Sequence, residues 1–224
     1  MGILDFVFPK TCIACGKTGR YICRSCIDKN PSARPVCPYC RHPSVSGATH
    51  AGCGKKTGID GLVSIWKYEG VVKKAILSLK YKYATEMGDE LADYLIGLLK
   101  VKMLPGVYYL CPIPIHWYRQ NTRGFNQSVE VGKVISSAMG WNFIPDLLIK
   151  KRATAPQAEL DRETRMKNLR DVFMFNPVHR SLFPNLKSVM IFDDVFTTGS
   201  TILEATKALK MAGVEKVWGL TIAG

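Results

Sequence analysis

Short apolar runs alternate with longer amphipathic stretches along the chain after residue 60. The runs are rich in β-branched and aromatic residues, which is typical of buried strands. The stretches between them repeat apolar residues every three or four positions, which is typical of helices that pack on a sheet. This alternation predicts an α/β domain with a mainly parallel sheet flanked by helices.

Six segments have the apolar pattern of a strand. They are Leu62 to Tyr68, Val107 to Cys111, Leu147 to Lys150, Val172 to Phe175, Ser188 to Phe192 and Lys216 to Ile222. Helical spacing is seen for Met87, Leu91, Tyr94, Leu95 and Leu98, for Val131, Ile135 and Ala138, and for Ile202, Ala205, Leu209 and Ala212. We expect the last of these helices to end at Gly213, because glycine readily takes the left-handed conformation of a helix end.

Composition adds a second, smaller module. The chain has 224 residues, of which 47% are hydrophobic and 22% charged, and this excludes collagen-like and disordered proteins. Seven of the eight cysteines lie within the first 53 residues. We therefore expect a cysteine-rich module in residues 1–60 and a larger domain in residues 61–224.

The chain is strongly basic. Its formal net charge is +13, and the first 60 residues hold nine basic and three acidic side chains. Such a surface attracts phosphate-bearing or acidic partners. Charge alone does not separate a nucleic acid from a phosphorylated metabolite.

No segment has the pattern of a membrane span. The longest run without Asp, Glu, Lys or Arg covers residues 103–118 and contains three prolines. A span needs about 20 apolar residues, so we expect no membrane insertion. The first ten residues, MGILDFVFPK, have no basic region before the apolar stretch and no small-residue cleavage site, so we expect a cytoplasmic protein.

The cysteines form closely spaced pairs that predict metal binding. The candidate ligands are Cys12, Cys15, Cys23 and Cys26 for one zinc ion, and Cys37, Cys40, His50 and Cys53 for a second. Each CxxC turn directs two thiolates at one centre, and two turns complete a tetrahedral Zn²⁺ shell. Disulfides are the competing interpretation, but the odd number of cysteines in the module, seven, and the expected cytosolic location disfavour them. His42 is an alternative ligand to His50.

The segment after the predicted strand at residue 188 carries a candidate anion site. It contains the acidic pair Asp193 and Asp194, followed by Thr197, Thr198, Gly199, Ser200 and Thr201 and then a predicted helix. The N-terminus of a helix that follows a strand presents N–H groups and a positive dipole end to a phosphate. The aspartates can reach the hydroxyls of a sugar. Simple capping of the helix by Thr201 and Glu204 is the alternative, but it leaves the aspartates and the second threonine unexplained.

The sequence IFDDVFTTGST resembles the ribose 5-phosphate loop of type I phosphoribosyltransferases. Together with the zinc-ribbon pattern, it resembles the ComF family of competence-associated, phosphoribosyltransferase-like proteins. The resemblance covers nearly the whole chain and includes Pro112-Ile113-Pro114, Arg123-Gly124-Phe125-Asn126-Gln127, and Gln157 with Arg162, Asn168 and Phe173. The chain departs from it at His50, where relatives usually carry a cysteine.

The resemblance implies a type I phosphoribosyltransferase fold that binds phosphoribosyl pyrophosphate and Mg²⁺. It implies that Asp193 and Asp194 are catalytic and that residues 197–201 hold the phosphate. It places Arg119 and Arg123 beside the pyrophosphate, with Lys151 and Arg152 in a basic lid.

The implied activity is phosphoribosyl transfer to an unassigned acceptor, in a protein that acts in DNA uptake. One alternative is a non-catalytic scaffold that contacts single-stranded DNA or a DNA-uptake helicase through the ribbons. Another is a regulator that senses phosphoribosyl pyrophosphate. The intact aspartate pair and phosphate turn favour ligand binding over a mere scaffold.

Overall fold

The computed structural model describes residues 9–79, 84–102, 104, 106, 109–115, 125–151 and 171–224. The helices are α1 (Arg24–Asp28), α2 (Gly70–Ser78), α3 (Ala84–Leu99), α4 (Gln127–Met139), α5 (Val178–Leu182) and α6 (Ser200–Met211), with a 3₁₀ turn at Val45–Gly47. The strands are β1 (Gly61–Trp66), β2 (Tyr109–Pro112), β3 (Asn142–Phe143), β4 (Leu148–Lys150), β5 (Phe173–Phe175), β6 (Ser188–Val195) and β7 (Lys216–Ala223). Among these residues no helix is both long and apolar enough to cross a membrane.

Five strands form one parallel sheet in the order β1-β7-β6-β2-β3. Its faces follow the two-residue period of a strand. Along β6, Met190 and Phe192 pack in a cluster with α2, α3 and α4, whereas Val189 and Ile191 pack in a cluster with α6. The prediction of a mainly parallel α/β sheet flanked by helices is confirmed.

Two predicted strands lie outside this sheet. The segments at residues 147–150 and 172–175 form β4 and β5, which pair with each other in an antiparallel ribbon. Only four residues separate β3 from β4, and a parallel neighbour needs a crossover of about a dozen. The apolar pattern therefore identified both strands but did not show that they pair outside the parallel sheet, and the two-residue β3 at the sheet edge was missed.

The cysteine-rich module packs directly on the sheet domain. Ile22 and Ile27 belong to the same hydrophobic cluster as α2, α3 and α4. The Glu90 carboxylate on α3 accepts hydrogen bonds from the backbone N–H groups of Tyr21, at 3.3 Å, and of Ile22, at 2.9 Å. The described part of the module, residues 9–60, thus shares a core with the sheet, although β1 begins at the predicted boundary, Gly61. That the two parts are separate domains stays a prediction.

Candidate functional site

The first cysteine cluster has the geometry of a zinc centre. The sulfur atoms of Cys12, Cys15, Cys23 and Cys26 all lie within 4.8 Å of one another, and none of these residues is in a disulfide. Tetrahedral zinc with Zn–S distances of about 2.3 Å holds its sulfurs roughly 3.8 Å apart. The Sγ atoms of Cys15 and Cys23 are 3.7 Å apart. The four residues therefore fit a zinc ion, in the grouping that their spacing predicts.

The second cluster joins Cys37, Cys40, His50 and Cys53, again within 4.8 Å. Nδ1 of His50 lies 3.4 Å from the Cys40 sulfur, and its Nε2 lies 3.2 Å from the Pro43 carbonyl oxygen. Because a carbonyl only accepts, Nε2 donates, and this leaves Nδ1 as the ligand atom. His50 completes the second set, and His42 belongs to neither cluster.

In each cluster, one cysteine thiol has a lowered pKa. Burial raises the pKa of Cys12, but hydrogen bonds from backbone N–H groups outweigh burial and bring that pKa to about 6. The balance is the same for Cys37, whose pKa is also about 6. The thiolate is the form that binds a metal ion, so the backbone of each turn favours the ligand state.

The anion-binding candidate lies where β6 meets α6. Asp193 and Asp194 lie in the last part of β6, and α6 begins at Ser200. Together with the intervening residues they line a cavity of about 200 Å³. The cavity is lined by Tyr68, Ile76, Asp193, Asp194, Val195, Phe196, Thr197, Thr198, Gly199, Ser200, Thr201 and Ile202. The predicted aspartates and all five predicted phosphate-loop residues thus face one space.

Gly199 determines the shape of the turn. It is the N-cap of α6 with φ +81°, and a Cβ atom there would come within 2.6 Å of the Phe196 ring. Capping of the helix by Thr201 and Glu204 is not the arrangement found, because Gly199 is the N-cap and a Glu204 carboxylate oxygen accepts the Asp171 N–H at 2.6 Å. The Thr198 and Ser200 hydroxyls are hydrogen-bonded at 2.9 Å. The Ser200 N–H donates to Thr198 Oγ1 at 3.4 Å, so the start of α6 is a helix end with a hydroxyl-rich rim, which suits an anion.

The acidic pair has unusual electrostatics. Burial, and then the negative charge of Asp194, raise the pKa of Asp193 well above its ordinary value. The Asp194 N–H donates to Asp193 Oδ1 at 2.9 Å, and the Ser128 hydroxyl donates to the same oxygen at 3.5 Å. Asp193 therefore loses its proton at a higher pH than an exposed carboxyl does.

The predicted basic residues are placed less completely. Lys151 directly follows β4, is exposed, and is not among the residues that line the cavity. Its neighbour Lys150 lies close enough to Asp193 to lower that residue's pKa. Arg119, Arg123 and Arg152 lie outside the described residues.

Comparison with known proteins decides the family. The double zinc ribbon domain model matches residues 3–55. Competence protein F of Haemophilus influenzae is 30% identical over 215 residues, which cover 90% of this chain and 90% of that protein. The chain belongs to the competence protein F family. The resemblance predicted from the sequence is thus confirmed.

Other matches extend the comparison for this member of the competence protein F family. DNA utilization protein YhgH of Escherichia coli K12 is 28% identical over 210 residues, or 89% of each chain. Two solved structures also match, the adenine phosphoribosyltransferases of Leishmania donovani and Leishmania tarentolae. Each is 15% identical to this chain, covers 61% of it and has a TM-score of 0.34. The match covers 52% of the Leishmania donovani chain and 70% of the Leishmania tarentolae chain.

Two residues of the site in this competence protein F relative were missed in the sequence. Tyr68 lines the cavity beside Asp194, and burial together with the Asp194 charge raises its pKa. The hydroxyl of Ser128, near the start of α4, donates to Asp193 Oδ1 at 3.5 Å. Ligands bind at the carboxyl ends of parallel strands. Because Tyr68 follows the end of β1, its position in the sequence could have marked it as a site residue. No local signal marks Ser128.

Proposed function

We propose that the protein binds phosphoribosyl pyrophosphate with Mg²⁺ in the cavity at the end of β6 and acts as a phosphoribosyltransferase in DNA uptake or utilisation. The proposal rests on one observation: Asp193, Asp194 and residues 197–201 all line the same cavity. A helix end and a hydroxyl rim suit the 5-phosphate, and two carboxylates one residue apart suit the ribose hydroxyls.

Each part of the cavity has a role in this proposal. The N-terminus of α6 and the hydroxyls of Thr198 and Ser200 hold the 5-phosphate. Asp193 and Asp194 orient the ribose, and their negative charge favours the positive charge that develops on the sugar when the bond to pyrophosphate breaks. Carboxylate oxygens are suitable Mg²⁺ ligands, and a bound Mg²⁺ supplies neutralisation of the pyrophosphate charge.

The acceptor meets a different wall. Tyr68, which follows β1, and Ile76 on α2 also line the cavity and lie outside residues 197–201. We assign both side chains to recognition of the acceptor. An apolar side chain beside a phenol fits a flat, partly polar acceptor such as a heterocyclic base.

Ligand binding is tested by thermal unfolding of the zinc-loaded full chain. Phosphoribosyl pyrophosphate with Mg²⁺, at about 100 times its dissociation constant, adds about 2.7 kcal/mol of stability. For a chain of this size that corresponds to a rise in Tm of roughly 5–11 °C. Ribose with Mg²⁺ is the matched control, because it lacks both the 5-phosphate and the pyrophosphate. Absence of a shift at millimolar ligand would refute the proposal and leave the scaffold alternative.

Turnover is tested separately from binding. Replacing Asp193 and Asp194 by Asn keeps their shape but removes the negative charge that the proposed chemistry needs. We expect the double variant to retain its thermal shift and to lose any release of pyrophosphate in the presence of nucleobases. A wild-type protein that binds the ligand and releases no pyrophosphate would favour the sensor alternative.

A second candidate function is contact with single-stranded DNA through the ribbons. It is favoured by the excess of basic residues in residues 1–60, which include the exposed Lys55 and Lys56. Changing both lysines to Gln should lower the slope of log affinity against log salt by about 1.4, because each phosphate contact on a single strand contributes about 0.7. Changing Lys100 and Lys102 to Gln is the control with the same loss of charge. An unchanged slope in the ribbon variant would exclude this DNA contact.

A further inference from the structure

Two side chains of the second zinc ribbon, Tyr39 and Arg41, contact the phosphate loop or the cluster beneath it, and Arg41 is the one that hydrogen-bonds to the loop backbone. Nη2 of Arg41 donates to the Thr197 carbonyl oxygen at 2.7 Å. The Arg41 guanidinium also lies over the Phe196 ring, 4.3 Å from its centroid. Residues 156 positions apart in the sequence are thereby joined at the edge of the cavity.

The backbone at Arg41 is strained in a way that the first ribbon avoids. Arg41 follows the ligand Cys40 and has φ 64°, and its N–H donates to the Cys37 carbonyl at 3.0 Å. The same turn in the first ribbon has Gly16 with φ 73°, whose N–H donates to the Cys12 carbonyl at 2.8 Å. Glycine takes this conformation without penalty, whereas other residues do not. The ribbon fold alone therefore does not explain an arginine at this position.

The contacts of Arg41 act on the part of the loop that faces the ligand. The Thr197 carbonyl and the Thr198 N–H belong to one peptide group, so a charged donor on the carbonyl makes the N–H a stronger donor to an anion. Phe196 is buried, and its ring is the surface against which Gly199 packs. Holding that ring also holds the turn that begins α6.

We propose that Arg41 is a positioning residue through which the second zinc ribbon holds the phosphate loop in its binding conformation. The inference rests on the proposed function, because it assigns a ribose phosphate to that loop. The ribbon then sets the affinity of the loop for phosphate, in addition to stabilising the fold. This role in phosphate affinity gives a reason why a zinc module is joined to the sheet domain.

The first test measures binding of ribose 5-phosphate to the zinc-loaded full chain by titration calorimetry. We expect Arg41→Met and Arg41→Gly to raise Kd about tenfold, which equals about 1.4 kcal/mol. Arg41→Gly is the more informative variant, because glycine relieves the strained turn and should leave zinc content and ribbon stability intact. Wild-type affinity in Arg41→Gly would overturn the proposal.

Arg24→Met is the matched control for charge. Arg24 lies in the first ribbon, pairs with Asp28 at 2.9 Å and lies over the Tyr94 ring at 5.7 Å. Its replacement removes the same charge and the same kind of ring contact, away from the loop. We expect Arg24→Met to leave the Kd for ribose 5-phosphate unchanged. If Arg24→Met and Arg41→Met raise that Kd equally, the effect is one of general charge and the proposal is overturned.

A second measurement needs no ligand. Hydrogen exchange of the segment from Asp193 to Leu203 should be faster in Arg41→Gly than in the wild type, since the loop loses its tie to the ribbon. Unchanged exchange would contradict the positioning role. If the wild type fails to bind ribose 5-phosphate, the proposed function fails, and the exchange result still decides whether Arg41 holds the loop.

Discussion

A single methyl group added at Gly199 tests the tightest contact in the phosphate loop. Gly199 has φ +81°, where a residue with a side chain costs about 1–2 kcal/mol. The new Cβ would also lie 2.6 Å from the Phe196 ring, and relief of such overpacking costs about 1–3 kcal/mol. We therefore expect Gly199→Ala to destabilise the protein by about 2–5 kcal/mol.

Gly140→Ala separates the two contributions. Gly140 ends α4 with φ 68°, but nothing lies within 4 Å of its Cβ position. It should cost only the backbone strain, about 1–2 kcal/mol. Chemical denaturation of the three proteins gives the difference, which we expect to be about 2 kcal/mol. Equal losses in the two variants would show that Phe196 moves aside freely, and would refute this account of the loop.

The same pair of variants also distinguishes stability from function. If Phe196 is displaced, the turn at residues 197–199 changes shape, and the thermal shift with phosphoribosyl pyrophosphate should disappear in Gly199→Ala. Gly140 lies outside the cavity lining, so its variant should keep the full shift.

Two further predictions concern the metal clusters and the acidic pair. His50→Ala should lower the zinc content from two ions per chain to about one, whereas His42→Ala should leave it unchanged; metal analysis of reduced protein decides. Asp193 has a raised pKa in the folded state, so its stabilising contribution is present below about pH 4 and is lost as pH rises through that pKa. Asp193→Asn should therefore unfold at a higher temperature than wild type at neutral pH, with the gain vanishing towards pH 4.

Local spacing made it predictable that the cysteine and histidine clusters form and that the residues after β6 gather around one cavity. Both CxxC turns of the first cluster lie within 15 residues, and the loop from Asp193 to Thr201 is continuous in the chain. Short-range geometry therefore determines which side chains meet. The strand pattern likewise predicted the central strands β6 and β7, because both are buried on two faces.

What could not be predicted depends on distant contacts. Ser128 meets Asp193 from 65 positions away, and Arg41 meets Thr197 from 156. The pairing of β4 with β5 depends on which neighbour each strand finds, and the apolar pattern carries no such information. No local pattern in a single sequence indicates which of these distant residues come into contact.

The strand order has a consequence for how the chain folds. β7 lies between β1 and β6, so β1 has no neighbour in the sheet until the last strand has been made. The ligands of each zinc cluster, by contrast, lie within 17 residues of one another and can assemble as soon as that segment exists. Local contacts form quickly, whereas a sheet completed by distant strands forms slowly. During synthesis the ribbons can therefore mature first, while the hydrogen bond from the Phe196 N–H to the Ala223 carbonyl, at 2.8 Å, forms only when β7 inserts beside β6.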